Sequence, residues 1–303
     1  MSGLDFARDG ADWPLRETSR FVDTAHFHWH VQEMGEGAPC LLIHGSGGAT
    51  HSWRDFAPIL AGDFRVLAPD LPGHAFTRSR RRPDLSLNGM ADAVDELLAA
   101  LNFRPRLVIG HSAGAVILAR LIAQGRLQPD LYVAINGAFL PFKGFGGVVF
   151  PFLAKALVMN PFAPRIFAWT AGKPTVAKLL AGMGSKIDAF GLDLYTRLLS
   201  NSRHAGGALA MMANWDLSRT PDDLARMPCP ALLILGANDH GVPPEGAMRL
   251  AKAMSRVVVE RVANVGHLAH EEKPEAIAAI VRRAAEEVGL VRPSASLGDN
   301  QTP

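Results

Sequence analysis

"LVIGHSAGAVI", residues 107–117, decides how this chain folds. Leu107, Val108 and Ile109 form a short apolar run of strand type, and "SAGAVILARLIAQG" from Ser112 onward reads as helix. Ser112 stands at the corner, flanked by Gly110 and Gly114 in a Gly-x-Ser-x-Gly pattern. On a tight strand-to-helix turn a serine hydroxyl is exposed at the strand end. The glycines let neighbouring backbone come close, and the first N–H groups of the helix face any negative charge that develops there. The plainer reading is a serine that merely N-caps a helix. The rest of the chain must decide between the two.

Outward from that corner the chain alternates. "RFVDTAHFHWHVQEMGEG" reads as a hairpin of two strands with mixed faces. "PCLLIHG" (39–45), "FRVLAPD" (64–70), "RLVIG" (106–110), "LYVAING" (131–137), "ALLILG" (231–236) and "RVVVERV" (256–262) are short runs, most of them apolar throughout, as in a sheet covered on both faces. Between them lie helix-period segments. "SLNGMADAVDELLAALNF" gathers Met90, Val94, Leu97, Leu98 and Leu101 on one side, and "PEAIAAIVRRAAEEVG" closes the fold. The pattern predicts an α/β fold with a doubly wound, mostly parallel sheet. Alternation breaks at about Phe139 and resumes after Asp216. The predicted organisation is therefore a core of residues 1–138 and 217–292, a helical cap over 139–216, and a disordered tail over 293–303.

Bulk composition narrows the classes. With 303 residues, 48% hydrophobic and 20% charged, the chain can bury a sizeable core. A formal charge of +2 with mixed signs gives no footprint for nucleic acid, and "RSRRRPD" (78–84) reads as a solvated loop. Cys40 and Cys229 each adjoin a proline at the start of an apolar run and read as buried thiols. The first residues lack a basic region followed by an apolar stretch, and no uncharged apolar run reaches spanning length. The expectation is a cytoplasmic protein with a sticky surface.

Three further motifs complete a site. "LLIHGSGG" ends an early strand in a glycine-rich turn, where the Ser46 or Gly47 amide could join that of Ala113 as an oxyanion donor. A phosphate cradle is disfavoured, since "AGKPT" (171–175) lacks the spacing and the hydroxyl of such a loop. In "LLILGANDHGVPP", Asp239 follows a strand, and in "VANVGHLAHEEKPEAI", His267 follows the last strand after a glycine. Ser112, Asp239 and His267 occur in the order this elbow architecture uses: His267 would take the serine proton and Asp239 would hold the imidazole. Asp216 is a rival acid at the cap's end, and His270 reads as loop support. His111 is turned by the corner away from the hydroxyl. It enters with Phe139, Met211, Met212 and Trp215 as a candidate pocket wall. "HFHWH" sets His26, His28 and His30 on one strand face. Three imidazoles can hold a metal, but an exposed hairpin face is the preferred reading, so no metal and no cofactor is implied.

These motifs resemble the α/β-hydrolase family. "HGSGG", "DLPGH" (70–74), "GHSAG", "GANDHGVP" and "GHLAHEEKP" fall in family order over residues 19–288, with Ala75 where a glycine is commoner. The haloalkane dehalogenase and epoxide hydrolase branches would need an aspartate at position 112. "DWPLRETSRFVDTAHFHWHVQEMG", "LPGHAFTRSR", "INGAFLPFKG", "NPFAPRIFAW" and "GALAMMANWDL" are similar, further, to the magnesium-chelatase accessory subgroup of bacteriochlorophyll biosynthesis. That resemblance implies a role around magnesium insertion into protoporphyrin. The chain lacks a nucleotide-binding loop and so is not the chelatase motor.

The cap stretch "FLPFKGFGGVVFPFLAKALVMNPFAPRIFAW" is aromatic-rich and poor in charge. It predicts a large apolar pocket, or a face for membrane or a hydrophobic partner. The expected partners are an apolar ester or a tetrapyrrole, with magnesium chelatase as a candidate protein partner. Two functions stand side by side: a serine esterase, or a non-catalytic module that binds pigment or chelatase through cap residues such as Phe145 and Trp169.

Overall fold

The strands that read as continuously apolar are the ones covered on both faces. In the computed structural model, which describes residues 3–140 and 163–292, they belong to a nine-stranded sheet. Its strands are β1 (Ser19–Asp23), β2 (Phe27–Met34), β3 (Ala38–Ile43), β4 (Phe64–Pro69), β5 (Arg78–Ser79), β6 (Leu107–His111), β7 (Leu131–Ile135), β8 (Ala231–Gly236) and β9 (Val257–Val262). The spatial order is β1-β2-β4-β3-β6-β7-β8-β9, with β5 beside β2. Pairing is antiparallel at the β1, β2 and β5 edge and parallel from β4 across to β9. The chain thus has a mostly parallel, open α/β sheet with helices on its faces.

Alternating side chains feed two cores. Leu41, Ile43, Val108, Tyr132, Ala134 and Leu233 face the helices Leu87–Ala100 and Ala113–Ala123. Cys40, Leu42, Leu107, Ile109, Val133 and Ile234 face Trp53, Phe56 and the helix Pro274–Glu287. Both cysteines are buried free thiols. The helix Leu87–Ala100 starts at Ser86, whose hydroxyl accepts from the Gly89 amide. Between β7 and β8 the described residues form the helices Ala163–Thr170, Lys173–Gly182, Ala189–Leu199, Ser202–Asn214 and Thr220–Ala225. The part of the cap that holds Phe145, and the tail from residue 293, lie outside the described residues.

Two local readings are corrected. Arg78 and Ser79 are not wholly loop, because they pair with His28 and Phe27 as β5. The three histidines of "HFHWH" do not share one exposed face. His30 is fully buried with its Nδ1 2.7 Å from Asp70 Oδ2, whereas His26 meets Glu96 and His28 meets Asp23 at the surface. The hairpin's inner side is core, so the histidine nearest its centre is drawn inward by a buried carboxylate.

Asp70, from the "DLPGH" motif, fixes the loops above the strand ends. Its Oδ1 accepts from the Thr50 amide at 2.8 Å and its Oδ2 from the Phe76 amide at 3.2 Å. Burial works against its charge, but the His30 ring and the amide donors outweigh that and hold the carboxyl down at about 2. Asp70→Ala should cost about 3 kcal/mol, read as a lowered urea midpoint, because it strands buried donors. A depressed carboxyl stabilises the fold above its unfolded range and loses that contribution as pH falls toward 2. The gap between wild type and variant should therefore narrow below pH ~4.

Candidate active site

Ser112 occupies the N-cap position of the helix Ala113–Ala123 with φ 52° and ψ −114°, yet its side chain makes no capping bond. Left-handed backbone at a non-glycine residue stores strain that the surroundings must hold. Here the Ser112 amide donates to Ile135 O at 3.0 Å, and its carbonyl accepts from the Ala138 amide at 3.1 Å. Gly114 is required by space: a Cβ there would stand 2.0 Å from the Ile43 carbonyl oxygen. The hydroxyl so presented lies 3.1 Å from His267 Nε2. On the other side of that ring, Nδ1 is 2.7 Å from Asp239 Oδ2. Asp239 Oδ1 accepts from the Val242 amide at 2.7 Å, which leaves one carboxylate oxygen for the imidazole. Asp239 and His267 are both buried.

The chain thus brings together the serine, acid and base named from sequence. Asp216 is elsewhere, exposed and bonded to the Ser218 amide. His270 lies buried between Trp53 and His111 and makes no bond through either ring nitrogen among the described residues. His111 is not a pocket wall. Its Nε2 lies 2.9 Å from the His267 carbonyl oxygen, so it supports the histidine loop from beneath.

The second oxyanion donor is narrowed as well. The Gly47 amide donates to His74 Nε2 at 3.2 Å, so Gly47 is committed to that ring. The Ser46 amide donates to no acceptor among the described residues. The turn is held by histidines. His74 Nδ1–H donates to Pro72 O at 3.1 Å, and His204 Nε2–H donates to Gly47 O at 3.1 Å while its Nδ1 accepts from the Ala75 amide at 2.9 Å. Ser46 Oγ donates to Ala208 O at 3.2 Å, on the same cap helix as His204. Ala75, the departure from the commoner glycine, has φ 37° and lies under this contact.

Sequence reading missed two supports. Asn136, at the end of β7 with φ 48°, donates through Nδ2 to the carbonyls of Gly266 and His267 at 2.9 and 2.8 Å and accepts the Gly236 amide at 2.7 Å. One side chain thereby ties three strand ends together; a polar residue closing the apolar run "LYVAI" was the available signal. The second support is the turn after the helix Lys173–Gly182. The Met183 carbonyl accepts from the amides of His240 and His267, each at 3.3 Å, and Ser185 Oγ accepts from the Leu268 amide at 2.9 Å. Gly184 is obligatory there, at φ 78° with only 1.8 Å between a built Cβ and Asn238 O. The cap thus rests directly on the loops of the acid and the base.

Phe139, with Leu140, Val242 and Pro243, lines a cavity of about 270 Å³ beside the Asp239 loop, to which His240, Glu245 and Arg249 also contribute. Met211 is buried in the core on the other flank and Met212 is half-buried. Trp215 is not turned to this cavity, because its Nε1 donates to Leu85 O at 3.1 Å.

Comparison with known proteins bears on the family and the fold. Residues 40–280 match the model of the Alpha/beta hydrolase family, and the chain belongs to that family. It is 36% identical over 274 residues to the magnesium-chelatase 30 kDa subunit of Rhodobacter capsulatus, covering 89% of this chain and 95% of that one. It is 29% identical over 263 residues to the pimeloyl-[acyl-carrier protein] methyl ester esterase of Methylococcus capsulatus, with 80% and 94% covered. A putative lipase from Acinetobacter baumannii has the same fold, with a TM-score of 0.75 at 19% identity over 89% of this chain and 91% of that chain.

Two outcomes follow from the supports. Asn136→Ala removes three bonds to buried backbone and should cost about 3 kcal/mol. In hydrogen exchange it should deprotect residues 264–270 before the rest of the sheet; unchanged protection would remove Asn136 from its positioning role. The second concerns acid. Burial is the main cause lowering the pKa of His44, His51, His74, His111, His204 and His270, with His204 at about 4 and His270 at about 3. The unfolded chain binds more protons at these rings once pH drops below ~6.5, so the melting temperature should fall steadily between pH ~6.5 and ~4.

Proposed function

We propose that the protein is a serine hydrolase that cleaves ester bonds through an acyl-serine intermediate. The observation that carries this reading is the unbroken chain Ser112 Oγ, His267 Nε2, His267 Nδ1, Asp239 Oδ2, with separations of 3.1 and 2.7 Å at its two hydrogen bonds. As Ser112 Oγ attacks the ester carbonyl carbon, His267 Nε2 takes its proton and the carbonyl oxygen becomes an oxyanion. The amides of Ala113 and Ser46 stabilise that oxygen, with help from the N-terminus of the helix behind Ala113. Asp239 holds the imidazole in the tautomer that accepts at Nε2 and balances its charge once protonated. The intermediate collapses, His267 gives the proton to the leaving alcohol, and water repeats the sequence to free Ser112.

The substrate class this supports is an apolar ester. The apolar part of the cavity beside Phe139, formed by Leu140, Val242 and Pro243, suits an acyl chain or ring edge. The relative named as a magnesium-chelatase subunit supports placing this hydrolase beside magnesium insertion, and a tetrapyrrole ester of bacteriochlorophyll biosynthesis is the substrate we propose on the resemblance in sequence. A general carboxylesterase acting on apolar esters is the broader form of the same reading. That relative's name also favours a second one: an accessory protein that binds porphyrin or chelatase, for which Ser112 chemistry is dispensable.

A fluorophosphonate probe should label Ser112, and Ser112→Ala should abolish labelling and reduce ester turnover by 10³-fold or more, with His267→Ala close behind. Labelling that persists in Ser112→Ala would overturn the assignment. To separate the two readings, Ser112→Ala and a full deletion are compared for pigment formation in a bacteriochlorophyll-producing cell. Hydrolysis predicts that the alanine variant behaves as the deletion; full rescue by it would leave the accessory reading.

A further inference from the structure

The outer face of the cap presents apolar side chains that the hydrolase reading does not use. Trp169 is 87% exposed, Ile166 57% and Leu179 45%, on the consecutive helices Ala163–Thr170 and Lys173–Gly182. Their opposite sides pack inward: Ala168 is buried, and Ala171, Val176 and Leu180 are buried with Tyr195, Leu199 and Leu268. Trp169 thus lies on the outer surface of its helix. An indole left almost wholly in water forgoes a large gain from burial, which marks a surface meant to be covered.

Charge identifies what covers it. From residue 131 to residue 187 the sequence contains no Asp or Glu, while Lys143, Lys155, Arg165, Lys173, Lys178 and Lys186 all fall within it. Arg165 and Lys178 directly neighbour Ile166 and Leu179 and are exposed; of the described cations in this stretch, Lys173 pairs with Asp193. Exposed cations directly beside an exposed Trp and two exposed aliphatic side chains are the combination that binds an anionic bilayer surface. The cations meet the headgroups and the indole settles at the interface. Among the described residues no helix is long and apolar enough to cross a membrane.

We infer that the helices Ala163–Thr170 and Lys173–Gly182, through their exposed Ile166, Trp169 and Leu179, dock the protein on anionic lipid membranes. Docking there brings the cap, which rests on the loops of Asp239 and His267, against the phase in which apolar esters dissolve. The inference stands apart from the catalytic reading.

The full chain is floated with vesicles of phosphatidylcholine alone and with about one third phosphatidylglycerol. It should bind the anionic vesicles and not the neutral ones. Binding should weaken as salt rises from about 0.1 to about 1 M, which shortens the screening length from about 10 to about 3 Å. Of the five tryptophans, Trp13, Trp29 and Trp53 are buried and Trp215 is half-buried, so a lipid-induced blue shift reports Trp169. Ile166→Ser with Trp169→Ser should lower vesicle affinity at least tenfold and remove the shift, as should Arg165→Glu with Lys178→Glu for affinity. All these variants should keep the wild-type circular dichroism. Ser112→Ala should still bind vesicles. Absence of flotation, equal binding to neutral vesicles, or undiminished binding by the serine double variant would overturn the inference. So would capture of a protein partner by this face without any vesicle binding.

Discussion

The structure depends on one constrained residue. Ser112 sits at φ 52°, where a side chain is unwelcome, and every neighbour contributes to keeping it there. The Ile135 carbonyl and the Ala138 amide clamp its backbone, and the missing side chain of Gly114 lets the helix close on the Ile43 carbonyl. Release of that strain would let Ser112 cap its helix as an ordinary N-cap residue does. Held in place, its hydroxyl points away from the helix and toward His267.

The same logic extends through the imidazoles. Eight of the eleven histidines, His30, His44, His51, His74, His111, His204, His267 and His270, are buried. Several act as neutral two-ended connectors: His44 accepts the Leu71 amide at Nε2 and donates from Nδ1 to Gly45 O. His74 and His204 connect the "HGSGG" turn to the next loop and to the cap helix in the same way. A neutral imidazole is suited to this, because it offers one donor and one acceptor without the cost of burying a charge. A different buried contact, Arg54 with Glu271 and Tyr195 donating to Glu271 at 2.6 Å, joins the cap to the histidine loop. Burial raises Glu271 to about 7 against the pull of Arg54.

Much of this was legible in the sequence. Strand runs such as "LYVAI" and "ALLILG" are apolar throughout because both faces are covered, and each appears as a parallel strand. The positions of Ser112, Asp239 and His267 at strand ends follow from the same alternation. What sequence could not supply were contacts set by tertiary packing. Whether Ser46 or Gly47 has a free amide depends on His74, 27 residues from Gly47. The role of Asn136 depends on which loops meet above β7. The inward turn of His30 depends on Asp70, on a different strand's end, and a period-two pattern cannot reveal it. The turn at Met183–Ser185 lies in a stretch whose prolines hid its register, so its contact with both site loops was invisible.

The central claim is that Ser112 becomes covalently acylated during turnover, and trapping that species tests it most directly. The protein is mixed with a p-nitrophenyl ester of a medium-chain fatty acid, quenched in acid within the first turnover, digested and weighed by mass spectrometry. The account predicts a burst of nitrophenol close to one per protein and an acyl mass on the peptide containing Ser112. Hydrolysis without a burst, or an acyl group recovered on any other residue, would contradict it.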